Sequence, residues 1–428
     1  MNFLEFAVWG AYLTSLGIYL SSIGLGDKIY LFYAVQGIVS IFMPAIVGIV
    51  ADRWIQAQKM LSLCQLISGL FMGGAALYCL QAPVVEFGPL FTLYTVSVAF
   101  FMPTIGLANS VAYSALNQAG LDTVKHFPPI RVFGTVGFIA SMLLTNFLQI
   151  DGQSMQTTCY QMLSSGIFSF ILCLYALTMP KCPTSKATSK SVMDALGLRA
   201  FTLFKQKKMA VFFIFSMLLG VSLQITNGYG TTFIHAYGAI AEYAHTWGVQ
   251  NATALISLSQ VSETLCILLI PFCLKRFGIK GVMMIAMLAW VCRFGFFGLG
   301  NPGSGVWMFV LSMIVYGVAF DFFNISGSLY VDKQTDPSMR SSAQGLFMLM
   351  TNGLGASVGT LVAGKVVNSF VFAPGLTVEQ SIQGWHTSWF IFAGYALAVA
   401  VCFWLIFHEG EAHPSVTAAK AENLDETV

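Results

Sequence analysis

Long apolar runs separated by short polar breaks make up nearly the whole chain. Runs near residues 3–25, 29–51, 60–82, 89–116, 130–149 and 159–179 are followed by a polar stretch, Pro180 to Lys208. Six more lie near 209–238, 250–274, 279–300, 306–330, 342–371 and 386–407. A helix rises about 1.5 Å per residue and a hydrocarbon core is about 30 Å thick, so about 20 apolar residues cross it. The pattern therefore predicts an all-α membrane protein with twelve transmembrane helices. Phe3 to Leu25 is too long for a signal-peptide core and has no basic residues before it, so it is predicted to be the first span.

The breaks between runs carry a second signal. Arg53 and Lys59 follow span 2, Lys125 follows span 4, Lys275, Arg276 and Lys280 follow span 8, and Lys333 and Arg340 follow span 10. The stretch after span 6 holds Lys181, Lys186, Lys190, Arg199, Lys205, Lys207 and Lys208, whereas the odd-numbered loops hold only Lys28. Basic residues in short loops stay on the cytoplasmic side, which predicts that both termini and the central loop are cytoplasmic. Composition agrees with this class: 57% of residues are hydrophobic and 9% charged, against about 25% charged in soluble proteins. The formal net charge of +2 is spread over short loops and forms no basic patch for nucleic acid. Eight of the nine cysteines fall in or beside apolar runs and the ninth, Cys182, in a loop, with no C-x-x-C spacing, so neither a disulfide framework nor a zinc site is expected.

The Ser-, Thr-, Lys- and Pro-rich stretch divides the chain into halves of similar size. This gives four segments: a six-helix bundle at 1–179, a linker at 180–208 with a short interfacial helix over Asp194 to Lys205, a second six-helix bundle at 209–407, and an acidic tail at 408–428. The halves rhyme. Arg53 and Lys59 after span 2 recur as Arg276 and Lys280 after span 8, and Arg131 opening span 5 recurs as Arg340 opening span 11. Parallel six-helix halves related by an axis along the membrane normal form the major facilitator fold, with substrate bound near the midplane between them. The loop GIVADRW, Gly48 to Trp54, resembles that superfamily's signature after its second helix; the second copy, LKRFGIK, has Lys275 where the acid belongs.

Charges inside the spans are costly, about +2.5 to +3.5 kcal/mol at a helix centre, and mark pathways or paired sites. They are Glu5 in span 1, Arg131 in span 5, Glu263 in span 8, Arg293 in span 9, Asp321 in span 10 and Lys365 in span 11. Spans 3, 6 and 12 have none, so the charges gather on the spans expected to line a central cavity. Arg293, on peripheral span 9, is expected to snorkel outward. In VYGVAFDFFNISGS, Val315 to Ser328, Gly317, Asp321 and Asn324 share one helical face, with Tyr316 and Phe320 as an aromatic pair beside it. Gln224 with Asn227, Gln260 with Glu263, and Arg131 with Thr135 likewise share faces. Polar groups beside Phe138, Tyr316 and Phe320 suit a flat, hydroxyl-rich solute: a nucleoside, or nearly as well a sugar. Asp321 and Glu263, the acids on two cavity spans, are the candidate proton carriers.

At these residues a narrower resemblance emerges. FPPIRVFGTVGF (Phe127 to Phe138), FFIFSMLLG with SLQITN (Phe212 to Asn227), SLSQVSETL (Ser257 to Leu265), VYGVAFDFFNISGS and SSAQGLFMLMTNG (Ser341 to Gly353) resemble the nucleoside:proton symporter family. The resemblance runs from span 1 to span 12. It implies proton-driven uptake of purine and pyrimidine nucleosides across a bacterial cytoplasmic membrane. It also implies that Arg131, Thr135, Gln224, Asn227, Gln260, Glu263, Tyr316, Phe320 and Asp321 belong to the central site. Glu5, His235 and Lys365 receive no role from it, and the loop at Ala239 to Val249 is where the pattern diverges. A sugar symporter of the same fold is the rival reading, followed by a drug exporter and, more distantly, a receptor or structural protein. No nucleophile with a base, metal-ligand cluster or phosphate-binding glycine loop is present, so neither enzyme chemistry nor a cofactor is expected. The expected partners are nucleosides, protons and the lipid bilayer around a monomer.

Overall fold

The computed structural model describes residues 1–182, 198–335 and 340–408. Among the described residues ten helices are long and apolar enough to cross a membrane. Two further crossings are made of shorter pieces. Span 1 consists of Asn2–Gly10 and Leu16–Ser22 joined by a turn, and span 8 runs from Ala252–Ile267 into the helix that begins at Ile270. Gly278, at φ 69°, separates span 8 from span 9, which continues to Leu299. Only glycine adopts that left-handed backbone at little cost, so the loop between the spans shrinks to one residue. Together these make twelve crossings, as the hydropathy pattern predicts.

The remaining spans are Ile29–Arg53, Ala57–Gln81, Phe87–Gln118, Thr123–Phe147, Tyr160–Leu177, Lys207–Ala236 and Val306–Gln334, with Arg340–Met348 through Ala356–Phe370 as span 11 and Val378–Ile406 as span 12. Span 12 starts earlier than its apolar run because Thr377 and Gln380 form a reciprocal cap that recruits a polar first turn. Span 11 carries a π-helical stretch, Leu349–Gly355, around Asn352 and Gly353. Hydropathy records neither this stretch nor the turn in span 1, since both remain apolar.

The two halves repeat one packing scheme. Spans 3 and 6, 3 and 4, 1 and 5, and 2 and 4 pack together, and so do their counterparts 9 and 12, 9 and 10, 7 and 11, and 8 and 10. Contacts between the halves are equally matched: span 2 meets span 11, span 5 meets span 8, and span 1 meets span 7. Apolar side chains such as Leu174 (69% exposed) and Leu268 (75% exposed) cover the outer surface, as a lipid-facing surface requires. After span 6 the chain follows the expectation in part. Cys182 is buried, with its N–H donated to Gln58 Oε1 at 3.0 Å, and all nine cysteines are free. The expected interfacial helix appears as 3₁₀ turns, Leu198–Lys205, whose Phe204 packs on Phe213 of span 7 at 5.5 Å; the rest of that segment, and the tail beyond His408, lie outside the described residues.

Candidate functional site

Hydrogen bonds join the halves at the end away from the chain termini, called distal below. Asn146 of span 5 donates to Asn251 Oδ1 at 2.7 Å, and Gln156 donates to the Gln250 carbonyl at 2.7 Å. Asn146 Oδ1 accepts the Ala254 N–H at 3.1 Å, and Asn368 of span 11 donates to the Asp27 carbonyl at 2.8 Å. Thr231 of span 7 donates to the Thr14 carbonyl in the turn of span 1. Beside the amides, a recess of about 700 Å³ holds His235, Gln149 and Gln153.

Deeper in the bundle, span 10 lies directly against span 8. A Cβ on Gly317 would sit 2.5 Å from the Ser262 carbonyl oxygen, so only glycine permits the approach. Ser262 Oγ donates to the Ile314 carbonyl across the same contact. The approach brings Gln260 and Glu263 of span 8 beside Tyr316 and Asp321 of span 10. Gln260 hydrogen-bonds the Tyr316 side chain. Tyr316 and Phe320 stack nearly parallel, 8° apart with centroids separated by 5.7 Å.

Arg131 enters from span 5 of the other half. Its guanidinium lies 4.2 Å from the Phe6 ring centroid of span 1 and within electrostatic reach of both Glu263 and Asp321. Among the described residues none of these three makes a direct ion pair, whereas Lys28 pairs with Asp27 in the loop after span 1. Asp321 is 6% exposed and its Oδ2 has no hydrogen-bond partner. A buried carboxylate oxygen without a donor is expensive unless a proton or a ligand supplies one.

The other expected site residues are arranged differently. Gln224 and Asn227 bond each other along span 7, Asn227 donating to Gln224 Oε1 at 2.9 Å. Thr135 is half-buried one turn beyond Arg131. Phe138 is turned into its own half, 6% exposed and edge-on to Trp9 at 6.2 Å. One expectation needs correction. Arg293 does not snorkel: it is 1% exposed, because spans 8 and 10 offer it acceptors deep in the bundle. Lys365 has an exposed side chain on span 11. Glu5 is fully buried inside its own half, accepting from Thr104 at 2.5 Å and Gln65 at 2.9 Å. Phe6, which carries Arg131, was not singled out by sequence, since an apolar residue in a span gives no sign of which cation it meets.

The family description "Nucleoside H+ symporter" matches residues 1–412. The chain belongs to this family. It is 46% identical to the xanthosine permease of Escherichia coli (strain K12) over 411 residues, covering 95% of this chain and 94% of the relative. It is 44% identical to nucleoside permease NupG of the same organism over 412 residues, with the same coverage. A crystal structure of nucleoside transporter NupG superposes with a TM-score of 0.85 at 43% identity, covering 95% of this chain and 96% of that one. The protein is thus a multi-pass transporter of the major facilitator fold and not an enzyme.

Proposed function

We propose that the chain carries nucleosides inward together with protons, by alternating access across the bacterial inner membrane. The observation that carries the reading is Asp321 Oδ2, a buried acceptor without a donor, beside Glu263 and the stacked pair Tyr316 and Phe320, with Arg131 reaching in from the other half. Aromatic faces stack a nucleobase at about 1 to 3 kcal/mol per base. Gln260 and the Gln224–Asn227 pair offer the amides that ribose hydroxyls and base edges need, with Thr135 completing the site on span 5.

A proton on Asp321 or Glu263 converts an acceptor into a donor and removes a charge next to Arg131. The two acids and the substrate then share one set of hydrogen bonds, so protonation and occupancy become coupled free energies. Residues 1–179 and 209–407 are the two bodies that rock, joined by 180–208, with 408–428 as a tail. The basic residues of the even-numbered loops support cytoplasmic termini. With that orientation the amide contacts close the outer side, and the site awaits exchange with the cytoplasm. A monomer suffices, because the pathway lies between the halves of one chain.

Competition against labelled uridine uptake in proteoliposomes tests the reading. Unlabelled nucleosides should block uptake and free sugars should not; equal inhibition by free ribose would make the site a reader of hydroxyls and overturn the nucleoside assignment.

A further inference from the structure

Span 9 holds a cation that the cycle above does not use. Arg293 Nη1 donates to the Ser312 carbonyl of span 10 at 2.8 Å and to Ser259 Oγ of span 8 at 3.4 Å, while Ser312 Oγ donates back to the Arg293 carbonyl at 2.9 Å. Its guanidinium lies 4.3 Å from the Tyr316 ring centroid and 5.6 Å from that of Phe297. Nε has no partner, and among the described residues no carboxylate pairs with the group. A charge so deep in a membrane protein is expensive to keep, and a neutral amide would join three helices as well. What an amide cannot supply is a cation packed on an aromatic ring. Trp290 closes on Tyr316 edge-on at 6.0 Å, and Phe320 lies parallel to it.

We infer that Arg293 is a positioning residue: it holds the buried Tyr316 ring, and through it the half-buried Phe320 ring that lies parallel, in the orientation that stacks the substrate's base, so recognition of the base extends to span 9. This rests on the reading of Tyr316 and Phe320 as the stacking pair. Lysine does not replace Arg293, because it lacks the planar fork that bonds Ser312 and Ser259 while lying on a ring.

Uridine affinity of the purified protein, measured calorimetrically beside the melting temperature, tests the inference. Arg293→Met and Arg293→Lys should each weaken uridine binding about tenfold, equivalent to about 1.4 kcal/mol. In a Tyr316→Phe background, which keeps the ring, the penalty for Arg293→Lys should persist; in a Tyr316→Ala background it should vanish. Residues that act through one another show such non-additivity, whereas a general structural role lowers affinity equally in every background. If Arg293→Met does not fold, Arg293→Lys carries the test. An Arg293→Lys affinity within twofold of the parent, or the same loss with and without the Tyr316 ring, overturns the inference. If Tyr316→Ala itself leaves uridine binding intact, the stacking pair is wrongly assigned, which is a separate failure.

Discussion

Closure at the distal end depends on a backbone contact that one methyl group disturbs. Gly17, in the second piece of span 1, faces span 7 of the other half, and a Cβ there would lie 2.6 Å from the Gly228 carbonyl oxygen. Ordinary contact begins at 3.4 Å, so Gly17→Ala has to part the two helices by roughly 0.8 Å at that point. The Thr232 hydroxyl, nearer still to the same point, can rotate away, but the Gly228 carbonyl is backbone and no rotamer change relieves it. Overpacking of this kind costs about 1 to 3 kcal/mol. In the alternating-access cycle proposed above this contact parts as the distal end opens, so the cost falls on the closed state and shifts the balance toward distal opening by roughly 5- to 150-fold. Ser357, 5% exposed where span 11 meets Gly37 of span 2, offers a reporter. In a Ser357→Cys background, a membrane-impermeant maleimide added from the distal side should react at least fivefold faster once Gly17→Ala is present, and nucleoside accumulation should fall. Unchanged labelling and unchanged accumulation would refute the argument that the halves close through this contact.

Asp321→Asn keeps the shape of the side chain but cannot titrate, so it should abolish proton-driven accumulation while exchange of nucleoside across the membrane survives; nucleoside-induced proton uptake in liposomes measures this, and intact proton uptake would remove Asp321 from coupling. Arg131→Gln should lower uptake at least tenfold at normal surface expression, because it removes the charge facing Glu263 and Asp321 and the stack on Phe6; normal transport would leave Arg131 as a topology charge. Gly317→Ala should weaken nucleoside binding and lower the melting temperature together, since its Cβ would sit 2.5 Å from the Ser262 carbonyl and push Tyr316 and Asp321 away from Glu263; wild-type affinity would show that the approach of spans 8 and 10 does not shape the site.

Helical periodicity made one side of each span legible. It put Gln260 with Glu263, and Tyr316 with Phe320, on common faces, and the structure joins these faces through Gly317. What periodicity omits is the neighbour. The peripheral place of span 9 predicts that Arg293 snorkels, yet its inner face meets the Ser312 carbonyl and Ser259, and these acceptors decide its position. Breaks inside apolar segments, such as the turn between Gly10 and Leu16, escaped because hydropathy measures composition, and the chain stays apolar through them.

The amides that clasp the distal end have a property that ion pairs would not share. Asn146, Gln156, Asn251 and Asn368 are neutral across the whole range of pH and salt in which a bacterium lives, and once the halves part and water reaches them each bond they lose is exchanged for one to water at a net difference of about 1 kcal/mol. Ion pairs at the same place would be screened within about 8 Å at physiological ionic strength and would slacken or tighten as the medium changed. A clasp of amides therefore keeps these bonds indifferent to the medium: osmotic shock or acidification changes the charge of none of the four side chains, and a change in the medium reaches the distal clasp only through neighbours such as His235 and the Lys28–Asp27 pair.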